Sequence, residues 1–390
     1  MSAMVPFVYD IPTRVYFGEN QLTHLGQELS RFGKSVLFVY GGGSIRKTGL
    51  YDTVMSAIRE SGLHAAELSG VEPNPKVDSV RRGVELCREN DVDVILAVGG
   101  GSVLDCGKYI SAAVFHDGDP WDLIEKNMPT PKTLPVVTIV TMAATGSEMD
   151  TVAVISNMEK KLKIGFNRPQ LRPAVSFLDP TLTYSVSRYQ TACGCADIFS
   201  HAVETYFNDK GMYMVDRFFE GIMRTVVKYA SVAMEKPDDY EARANIMWAA
   251  SWAINGLGRI MQPYAWSCHG LEHQLSAFYD ITHGLGLAIL TPRWMEHILS
   301  EDTAPRLRDL GVSVFDVDPG LPLMDGAKAA IEATKKWLFE TLGLASTLTE
   351  IGIGDEHIPE MAHSAVTLGL KRAFIPLTDQ DAEDIFRASL

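Results

Sequence analysis

Five polar residues in the second half of the chain have the spacing of metal ligands on helices. Asp197 and His201 are four residues apart, as are His269 and His273, which places both side chains of each pair on one helix face. His283 follows at an expected turn between two helices. Imidazoles and a carboxylate suit Zn²⁺ or Fe²⁺, whereas Mg²⁺ and Ca²⁺ prefer oxygen ligands. The spacing therefore predicts one divalent metal, with five candidates for four ligand positions.

Two glycine-rich loops in the first half of the chain are suited to bind phosphate groups. Each follows a short apolar segment expected to be a strand and precedes an expected helix. The loops are Gly41, Gly42, Gly43 and Ser44, and Gly99, Gly100, Gly101 and Ser102. Glycine lets a ligand approach the backbone, and the free N–H groups of a helix N-terminus attract phosphate oxygens. Neither loop is a G-x-G-x-x-G or Walker A sequence, so tight turns without a ligand are the alternative. A third such turn, at residues 145–148, favours a dinucleotide.

The residues after the first expected strand indicate which dinucleotide is bound. In dinucleotide-binding folds a carboxylate at this place binds the free ribose 2′-hydroxyl and repels a 2′-phosphate. The strand at residues 35–40 is followed by glycines and Ser44, with Arg46 and Lys47 just beyond and no acid. We therefore expect NADP(H) to be preferred over NAD(H).

Hydrophobic periodicity divides the chain into two parts. Segments of helical period alternate with short apolar runs, which lie at residues 35–40, 65–68, 92–98 and 134–141. This alternation is typical of a parallel sheet covered by helices. Beyond residue 180, long helical periods predominate, at residues 214–233, 240–257, 263–279, 327–342 and 358–365. We predict an α/β, Rossmann-like dinucleotide-binding domain over residues 1–185 and an all-α metal-binding and substrate domain over residues 186–390.

The composition excludes several classes of protein. The chain has 390 residues, of which 46% are hydrophobic and 22% charged, which excludes a disordered chain or a small disulfide scaffold. A net charge of −14 argues against nucleic acid or an anionic membrane as partner. No apolar run approaches the roughly 20 residues of a membrane span, and the N-terminal residues lack a signal-peptide pattern. With five cysteines, an odd number, we expect reduced thiols and a cytoplasmic protein.

Sequence blocks around the glycine loops and the histidines resemble the iron-containing (group III) alcohol dehydrogenase family. The blocks lie at residues 40–49, 73–75, 99–105 and 144–149, and at the Asp-x-x-x-His and His-x-x-x-His pairs described above. Together they cover nearly the whole chain and are similar to the branch of butanol dehydrogenases and NADPH-dependent aldehyde reductases. The resemblance implies a homodimer, with residues 9–17 as a candidate edge strand for pairing.

The resemblance also implies a role for each candidate residue. It implies that Asp197, His201, His269 and His283 bind the metal and that His273 lies beside it. The implied cofactor residues are the two glycine loops together with Asn74, Asp105, Thr141, Met142, Thr145, Ser147 and Lys161. Three lysines crowd the segment at residues 160–163, and an exposed hairpin is the alternative for it.

The expected activity is reversible hydride transfer between the nicotinamide and small neutral aliphatic aldehydes or primary alcohols of the butanol type. The metal would act as a Lewis acid on the carbonyl oxygen, and His273 would relay a proton to solvent. An aromatic group either lines the substrate cleft or packs between helices: Tyr206, Phe207, Trp252 and Trp266. Two alternatives stay open. One is a dehydroquinate synthase-like or glycerol-phosphate dehydrogenase-type metal enzyme, which needs a cationic pocket; the other is a non-catalytic metal-binding protein.

Overall fold

A computed structural model describes residues 7–207, 212–258 and 265–390 of the protein. The chain divides into two compact units, Asp10–Val186 and Ser187–Leu390, and residues 7–9 belong to the second. The first unit alternates strands and helices, and the described part of the second contains helices and a single isolated bridge between residues 265 and 373. The predicted fold class, an α/β part followed by a helical part, is confirmed.

The α/β unit contains eight strands and six α-helices. The strands are β1 (Arg14–Phe17), β2 (Ser35–Tyr40), β3 (His64–Leu68), β4 (Val94–Gly99), β5 (Val136–Val140), β6 (Val152–Asn157), β7 (Leu162–Asn167) and β8 (Val175–Leu178). The helices are α1 (Leu25–Ser30), α2 (Ser44–Lys47), α3 (Leu50–Glu60), α4 (Val77–Glu89), α5 (Gly101–Ala113) and α6 (Pro120–Glu125). Six strands form one parallel sheet in the order β1-β8-β5-β4-β2-β3.

The central strands are buried along their whole length. Every residue of β4 and β5 is buried, which explains why both read as continuous apolar runs rather than as alternating ones. Strands β1 and β3 form the two edges of the sheet. Part of the candidate edge segment at residues 9–17 is therefore an edge strand, whereas the homodimer stays a prediction.

Strands β6 and β7 form a separate antiparallel hairpin. The pairing of Ser156 with Lys163 places Lys163 within β7. Lys161 lies at the turn and has a positive φ of 51°. The lysine-rich segment is thus a hairpin in which Lys161 is exposed and Lys163 is buried.

The described residues of the second unit form nine α-helices. They are α7 (Arg188–Tyr206), α8 (Tyr213–Glu235), α9 (Tyr240–Ile254), α10 (Ser267–Tyr279), α11 (His283–Ile298), α12 (Ala304–Phe315), α13 (Leu323–Lys335), α14 (Ile358–Leu368) and α15 (Asp379–Ala388). A π-helical turn at Lys336–Thr341 continues α13. Every residue of α7 from Thr191 onward is buried, and α7 packs against α8, α9 and α11.

Most of the predicted helices are present, with shifted ends. The segments 214–233, 240–257 and 358–365 correspond to α8, α9 and α14. The predicted helix at 263–279 begins at Ser267, and residues 263–264 lie outside the described part of the chain. None of the described helices combines the length and apolar character that a bilayer span requires.

Candidate active site

Three helices bring the predicted metal ligands together. Asp197 and His201 lie one turn apart on α7, His269 lies in the first turn of α10, and His283 begins α11. The histidine Nε2 atoms are 3.5 Å (His201), 3.6 Å (His269) and 3.6 Å (His283) from Asp197 Oδ1. The imidazoles of His201 and His269 are stacked, with ring centroids 4.6 Å apart. Three imidazoles, carried by three helices, thus direct their Nε2 atoms towards one carboxylate oxygen.

The donor atoms in this cluster suit a cation. Asp197 Oδ1 and His269 Nε2 are buried and have no hydrogen-bond partner among the described residues, although buried polar atoms normally have one. Donor atoms of Asp197, His269 and His283 lie within 4.8 Å of one another. Burial would raise the pKa of the Asp197 carboxyl, but the three imidazoles hold it well below its ordinary value. Because a carboxylate and three imidazoles are ligands for Zn²⁺ or Fe²⁺, the residues fit the predicted metal.

The start of α11 lies directly against the backbone of α7. A Cβ atom on Gly284 would be 2.0 Å from the carbonyl oxygen of Cys193, so no side chain fits at position 284. The residues of α7 that follow Cys193 are small as well, with Gly194 next in the chain. Because Gly284 directly follows His283, this close contact sets how far His283 lies from α7 and its aspartate.

His273 lies beside the predicted ligands. Its ring centroid is 5.8 Å from that of His283 and 6.4 Å from that of His269. Donor atoms of Glu272, His273 and His283 form a second group within 4.8 Å. In that group Glu272 is already bonded to His283 Nδ1. The cluster around Asp197 is the better metal candidate, because it holds buried donor atoms that no described residue engages.

Two buried glutamates next to the candidate ligands were not predicted from the sequence. Glu204 is bonded to His269 Nδ1, and Glu272 is bonded to His283 Nδ1. Glu204 follows His201 by three residues, and Glu272 follows His269 by three. This spacing keeps two side chains on one helix face. An acid three positions after a candidate ligand was therefore the available signal for both.

Three loops of the α/β unit lie side by side at the carboxyl ends of β2, β4 and β5. Tyr40 pairs with Val98, and Gly99 pairs with Val140, so the three strand ends are neighbours in the sheet. The predicted cofactor residues 41–44 follow β2, residues 99–102 begin at the end of β4, and residues 141–147 follow β5. Ligands of open parallel sheets bind at this edge.

The glycines of the two predicted loops have different surroundings. Gly43 has a positive φ of 105°, and a Cβ atom on Gly42 or Gly43 would meet nothing within 4 Å. A Cβ atom on Gly101 would instead be 2.3 Å from the side chain of Thr145. The first loop therefore borders open space, whereas glycine at position 101 lets the loop after β5 pack against the start of α5.

The remaining predicted loop residues lie around the second loop and at the start of the helices. The N–H of Thr141 donates to the carbonyl of Gly99 over 3.0 Å. A Cβ atom on Gly100 would be 3.5 Å from Cβ of Met142, an ordinary contact. The serines of the two loops lie in the first turns of helices; they are Ser44 on α2 and Ser102 on α5.

Asp105 and Ser147 belong to a buried network that joins α5 to the loop after β5. Ser147 Oγ donates to Asp105 Oδ1 (2.5 Å), and the N–H of Val154 donates to Asp105 Oδ2 (2.8 Å). Lys108 Nζ donates to Ser147 Oγ (2.9 Å) and pairs with Asp150. Burial raises the pKa of Asp105 to about 6, although Lys108 opposes this. These contacts hold the loop in place, and they engage the side-chain oxygens of Asp105 and Ser147 within the protein.

Lys163 contacts a predicted cofactor residue. Lys163 Nζ donates to Asn74 Oδ1 over 2.9 Å, and both side chains are buried. Asn74 has a positive φ of 47° in the turn before α4. Strand alternation could not distinguish the two lysines, because residues two apart on a strand share a face. The difference is one of position, since Lys163 lies within β7 opposite the buried Ser156 and Lys161 lies at the turn.

A carboxylate lies close to the loop after β2, although none follows that strand in the sequence. Arg46 lies with its guanidinium 3.6 Å from the ring centroid of Tyr51, and its Nη2 donates to the hydroxyl of Tyr40 over 2.6 Å. Glu67, on the neighbouring strand β3, lies 3.5 Å from Arg46 Nη2. Glu67 also accepts hydrogen bonds from the hydroxyls of both tyrosines. The sequence could not show this contact because β2 and β3 meet only in the folded sheet.

Comparison with known proteins gives matches along almost the whole chain. The family model described as iron-containing alcohol dehydrogenase matches residues 12–180, and the C-terminal model of the Fe-containing alcohol dehydrogenase family matches residues 191–390. The chain is 48% identical to NADH-dependent butanol dehydrogenase A of Clostridium acetobutylicum, covering 99% of this chain and 100% of that protein. It is 36% identical to the NADPH-dependent aldehyde reductase YqhD of Escherichia coli, covering 90% of each. The solved structure of NADH-dependent butanol dehydrogenase A from Thermotoga maritima has a TM-score of 0.94 at 36% identity, covering 99% of both chains.

Proposed function

Because the chain belongs to the iron-containing alcohol dehydrogenase family, we propose that it interconverts small aliphatic aldehydes and primary alcohols. Family membership confirms the prediction of an NAD(P)-dependent alcohol dehydrogenase that uses a metal and a nicotinamide cofactor. Both matching family models describe alcohol dehydrogenases. We therefore propose neither a dehydroquinate synthase-like or glycerol-phosphate dehydrogenase-type enzyme nor a non-catalytic metal-binding protein.

The proposed metal ligands are Asp197, His201, His269 and His283. The observation that carries this proposal is the convergence of three Nε2 atoms on Asp197 Oδ1, at 3.5–3.6 Å. One carboxylate among the ligands leaves a divalent ion with net positive charge, so it stays electrophilic. Of the two ions predicted, Fe²⁺ is favoured by the description of the family.

The proposed dinucleotide site is the edge of the sheet at the carboxyl ends of β2, β4 and β5. Support comes from the open space over Gly42 and Gly43 and from the free N–H groups at the start of α5, which suit a pyrophosphate. We assign the lysine of this site to Lys163, because it is buried and bonded to Asn74. Asp105 and Ser147 act by holding the loop after β5.

The choice between NADH and NADPH depends on Arg46 and Glu67 in this proposal. The half-exposed guanidinium of Arg46 can pair with a 2′-phosphate, whereas the carboxylate of Glu67 repels one. The relatives differ in their cofactor, since the butanol dehydrogenase is NADH-dependent and the aldehyde reductase is NADPH-dependent. We propose that the enzyme accepts both cofactors and that the NADP(H) preference expected from the sequence is weak.

Removal of each of these two charges in turn tests the cofactor proposal. Arg46→Ala should raise KM for NADPH about tenfold, corresponding to one lost charge-assisted contact, and leave KM for NADH unchanged. Glu67→Gln should lower KM for NADPH relative to NADH. Equal changes for both cofactors in either variant would contradict the assignment, because only the 2′-substituent distinguishes them.

The chemistry divides between the bound groups and the protein. When bound, a divalent cation supplies Lewis acidity at the substrate carbonyl and a reduced nicotinamide supplies the hydride. His273 is partly exposed and lies beside the proposed ligands. Its imidazole suits proton exchange between the substrate oxygen and solvent near neutral pH.

The surroundings of the ligands favour an apolar substrate. The indole of Trp266 lies 4.9 Å from the imidazole of His269 and 5.3 Å from that of His201, measured between ring centroids. A small pocket is lined by four aromatic side chains, Phe207, Trp266, Trp294 and Phe374, and by Glu204, Ala265 and Ser267. None of the described residues that line it is a lysine or arginine. A small neutral aldehyde therefore fits better than a phosphorylated or acidic one.

The activity is tested with purified protein loaded with Fe²⁺ or Zn²⁺. Aldehydes from ethanal to hexanal, with glyceraldehyde 3-phosphate as the charged comparison, are offered with NADH and with NADPH while absorbance at the cofactor band is followed. Turnover of butanal that exceeds turnover of the phosphorylated aldehyde supports the proposal. Absence of cofactor oxidation with every neutral aldehyde, in protein shown to contain metal, would contradict it.

A further inference from the structure

The two ring nitrogens of His269 and of His283 face different carboxylates. In each ring Nε2 lies 3.6 Å from Asp197 Oδ1. In each ring Nδ1 is bonded to a different buried glutamate, Glu204 for His269 and Glu272 for His283. The side-chain exposure of the two glutamates is 1% and 0%. Buried carboxylates are costly unless they are fully hydrogen-bonded, so both contacts need an explanation.

Glu204 is held by several donors besides the imidazole. Its Oε2 accepts the N–H of Cys268 (2.8 Å), and its Oε1 accepts the N–H of His269 (3.2 Å) and the Nδ1 hydrogen of the same residue (2.5 Å). The hydroxyl of Ser200 donates to Oε1 over 3.3 Å. Glu204 on α7 thus binds the first turn of α10, whose free N–H groups favour a negative charge. The same carboxylate fixes both the backbone and the ring of His269.

Glu272 holds the ring of His283 from the opposite helix. Its Oε2 is bonded to His283 Nδ1, and its Oε1 accepts the hydroxyl hydrogen of Ser276. A Cβ atom on Gly286 would lie 2.8 Å from Cγ of Glu272. The absence of a side chain at position 286 therefore makes room for this glutamate between α10 and α11. Both oxygens have partners, so the carboxylate has a defined orientation.

We propose that Glu204 and Glu272 are positioning residues for the metal site: each holds the Nδ1–H of one imidazole so that Nε2 carries the free lone pair. This inference rests on the proposed metal ligands and adds to them the residues that select their tautomers. A carboxylate behind a ligating imidazole fixes the ring orientation and makes the nitrogen a stronger donor. Glu204 serves His269 on α10, and Glu272 serves His283 on α11. Neither glutamate is itself a proposed ligand of the cation.

Paired substitutions separate the positioning role from a merely structural one. Glutamine keeps an oxygen that accepts the Nδ1 hydrogen, whereas leucine keeps the volume but accepts nothing. We expect Glu204→Leu and Glu272→Leu to weaken Zn²⁺ binding about 10–100-fold, and each glutamine variant to recover part of that loss. Affinity is measured by competition with a chromogenic chelator at fixed pH. Glu220→Gln is the matched control, because Glu220 is also buried in this unit but pairs with Arg217.

Cobalt supplies a readout that a change in folding would not reproduce. Co²⁺ at saturating concentration should show altered d–d absorption bands in the leucine variants, since the imidazoles change orientation, and bands close to wild type in the glutamine variants and in Glu220→Gln. The thermal midpoint of each metal-free variant reports folding separately. Only variants that unfold in a cooperative transition are compared with wild type. If the leucine variants do not fold, the two glutamine variants can still be compared with wild type.

Three results would overturn the inference. The first is wild-type Zn²⁺ affinity and wild-type cobalt bands in all four variants of a protein that binds metal normally, which leaves the proposed function intact. The second is complete loss of metal in Glu272→Gln while His269→Ala retains it, because Glu272 is then itself a ligand. The third is a wild-type protein that binds no metal stoichiometrically, which removes the proposed metal site together with its positioning residues.

Discussion

Replacing Gly284 with alanine should weaken metal binding, although residue 284 is not a proposed ligand. The added Cβ atom would lie 2.0 Å from the carbonyl oxygen and 2.6 Å from the carbonyl carbon of Cys193. An ordinary contact needs about 3.5 Å, so the start of α11 must move away from α7 by roughly 1 Å or more. Both atoms belong to the backbone of a buried helix, so they cannot rotate out of the way as a side chain could.

The expected loss follows from the tolerance of metal coordination. Metal–ligand distances in proteins hold to within about 0.2 Å, so a displacement of His283 by about 1 Å removes its Nε2 from the ligand set. Zn²⁺ affinity should then fall by more than the roughly 10–100-fold that follows the loss of a residue hydrogen-bonded to a metal ligand. The overpacking itself should destabilise the metal-free protein by about 1–3 kcal/mol.

A second glycine supplies the matched control. Gly221 lies within α8, and a Cβ atom there would meet nothing within 4 Å. Gly221→Ala should leave metal affinity unchanged and raise stability by about 0.5–1 kcal/mol, because alanine is the better helix former. Chelator competition and thermal unfolding are measured on both variants. Wild-type affinity in Gly284→Ala, or equal losses in both variants, would refute the argument that this contact positions His283.

Three further predictions concern the cofactor lysine, the proton relay and the protonation of a ligand. Lys163→Met should lower kcat/KM for the cofactor about 10–100-fold, the expected effect of losing a charged hydrogen bond, whereas Lys161→Met at the exposed turn should change it less than about twofold; the reverse order would return the role to Lys161. His273→Gln should keep full metal content and lower kcat by about 10²–10⁴-fold, and loss of metal in this variant would make His273 a ligand instead. In the metal-free protein, burial lowers the pKa of His269, but Glu204 and Asp197 outweigh it and raise that pKa to about 9. The resulting stabilisation, about 3 kcal/mol, is complete below the ordinary histidine pKa of 6.5 and is lost as pH rises through about 9. The difference in thermal midpoint between metal-free wild type and His269→Gln should narrow over this range, and a difference independent of pH would contradict the prediction.

The features that could be predicted from the sequence are those set by local spacing. Buried strands such as β2 and β5 read as short apolar runs because both faces are covered. Asp197 and His201 share a helix face through their i, i+4 spacing. A helix was expected after the turn at His283, but the bounds of α11 were not predicted, because it contains Gly284 and Pro292 and is buried on nearly all sides. It therefore lacks both the favourable composition and the amphipathic period of a typical helix.

The features that could not be predicted depend on contacts between distant segments. Lys163 bonds Asn74, which lies 89 residues away in the sequence. Glu204 bonds His269 across 65 residues. Such pairs depend on how helices and strands pack, and hydrophobic periodicity carries no information on that packing. The spacing of the five candidate ligands likewise could not show which four bind the metal. The folded helices, by contrast, place three imidazoles around one carboxylate.

A crystal structure of the metal-loaded protein, with the ion located by anomalous scattering, tests the proposed metal site most directly. We expect one divalent ion bonded to Asp197, His201, His269 and His283, at about 2.0–2.2 Å from each donor atom, with His273 and Glu272 outside the ligand set. An ion bonded instead to Glu272, His273 and His283, the second group of donor atoms in the structure, would contradict it.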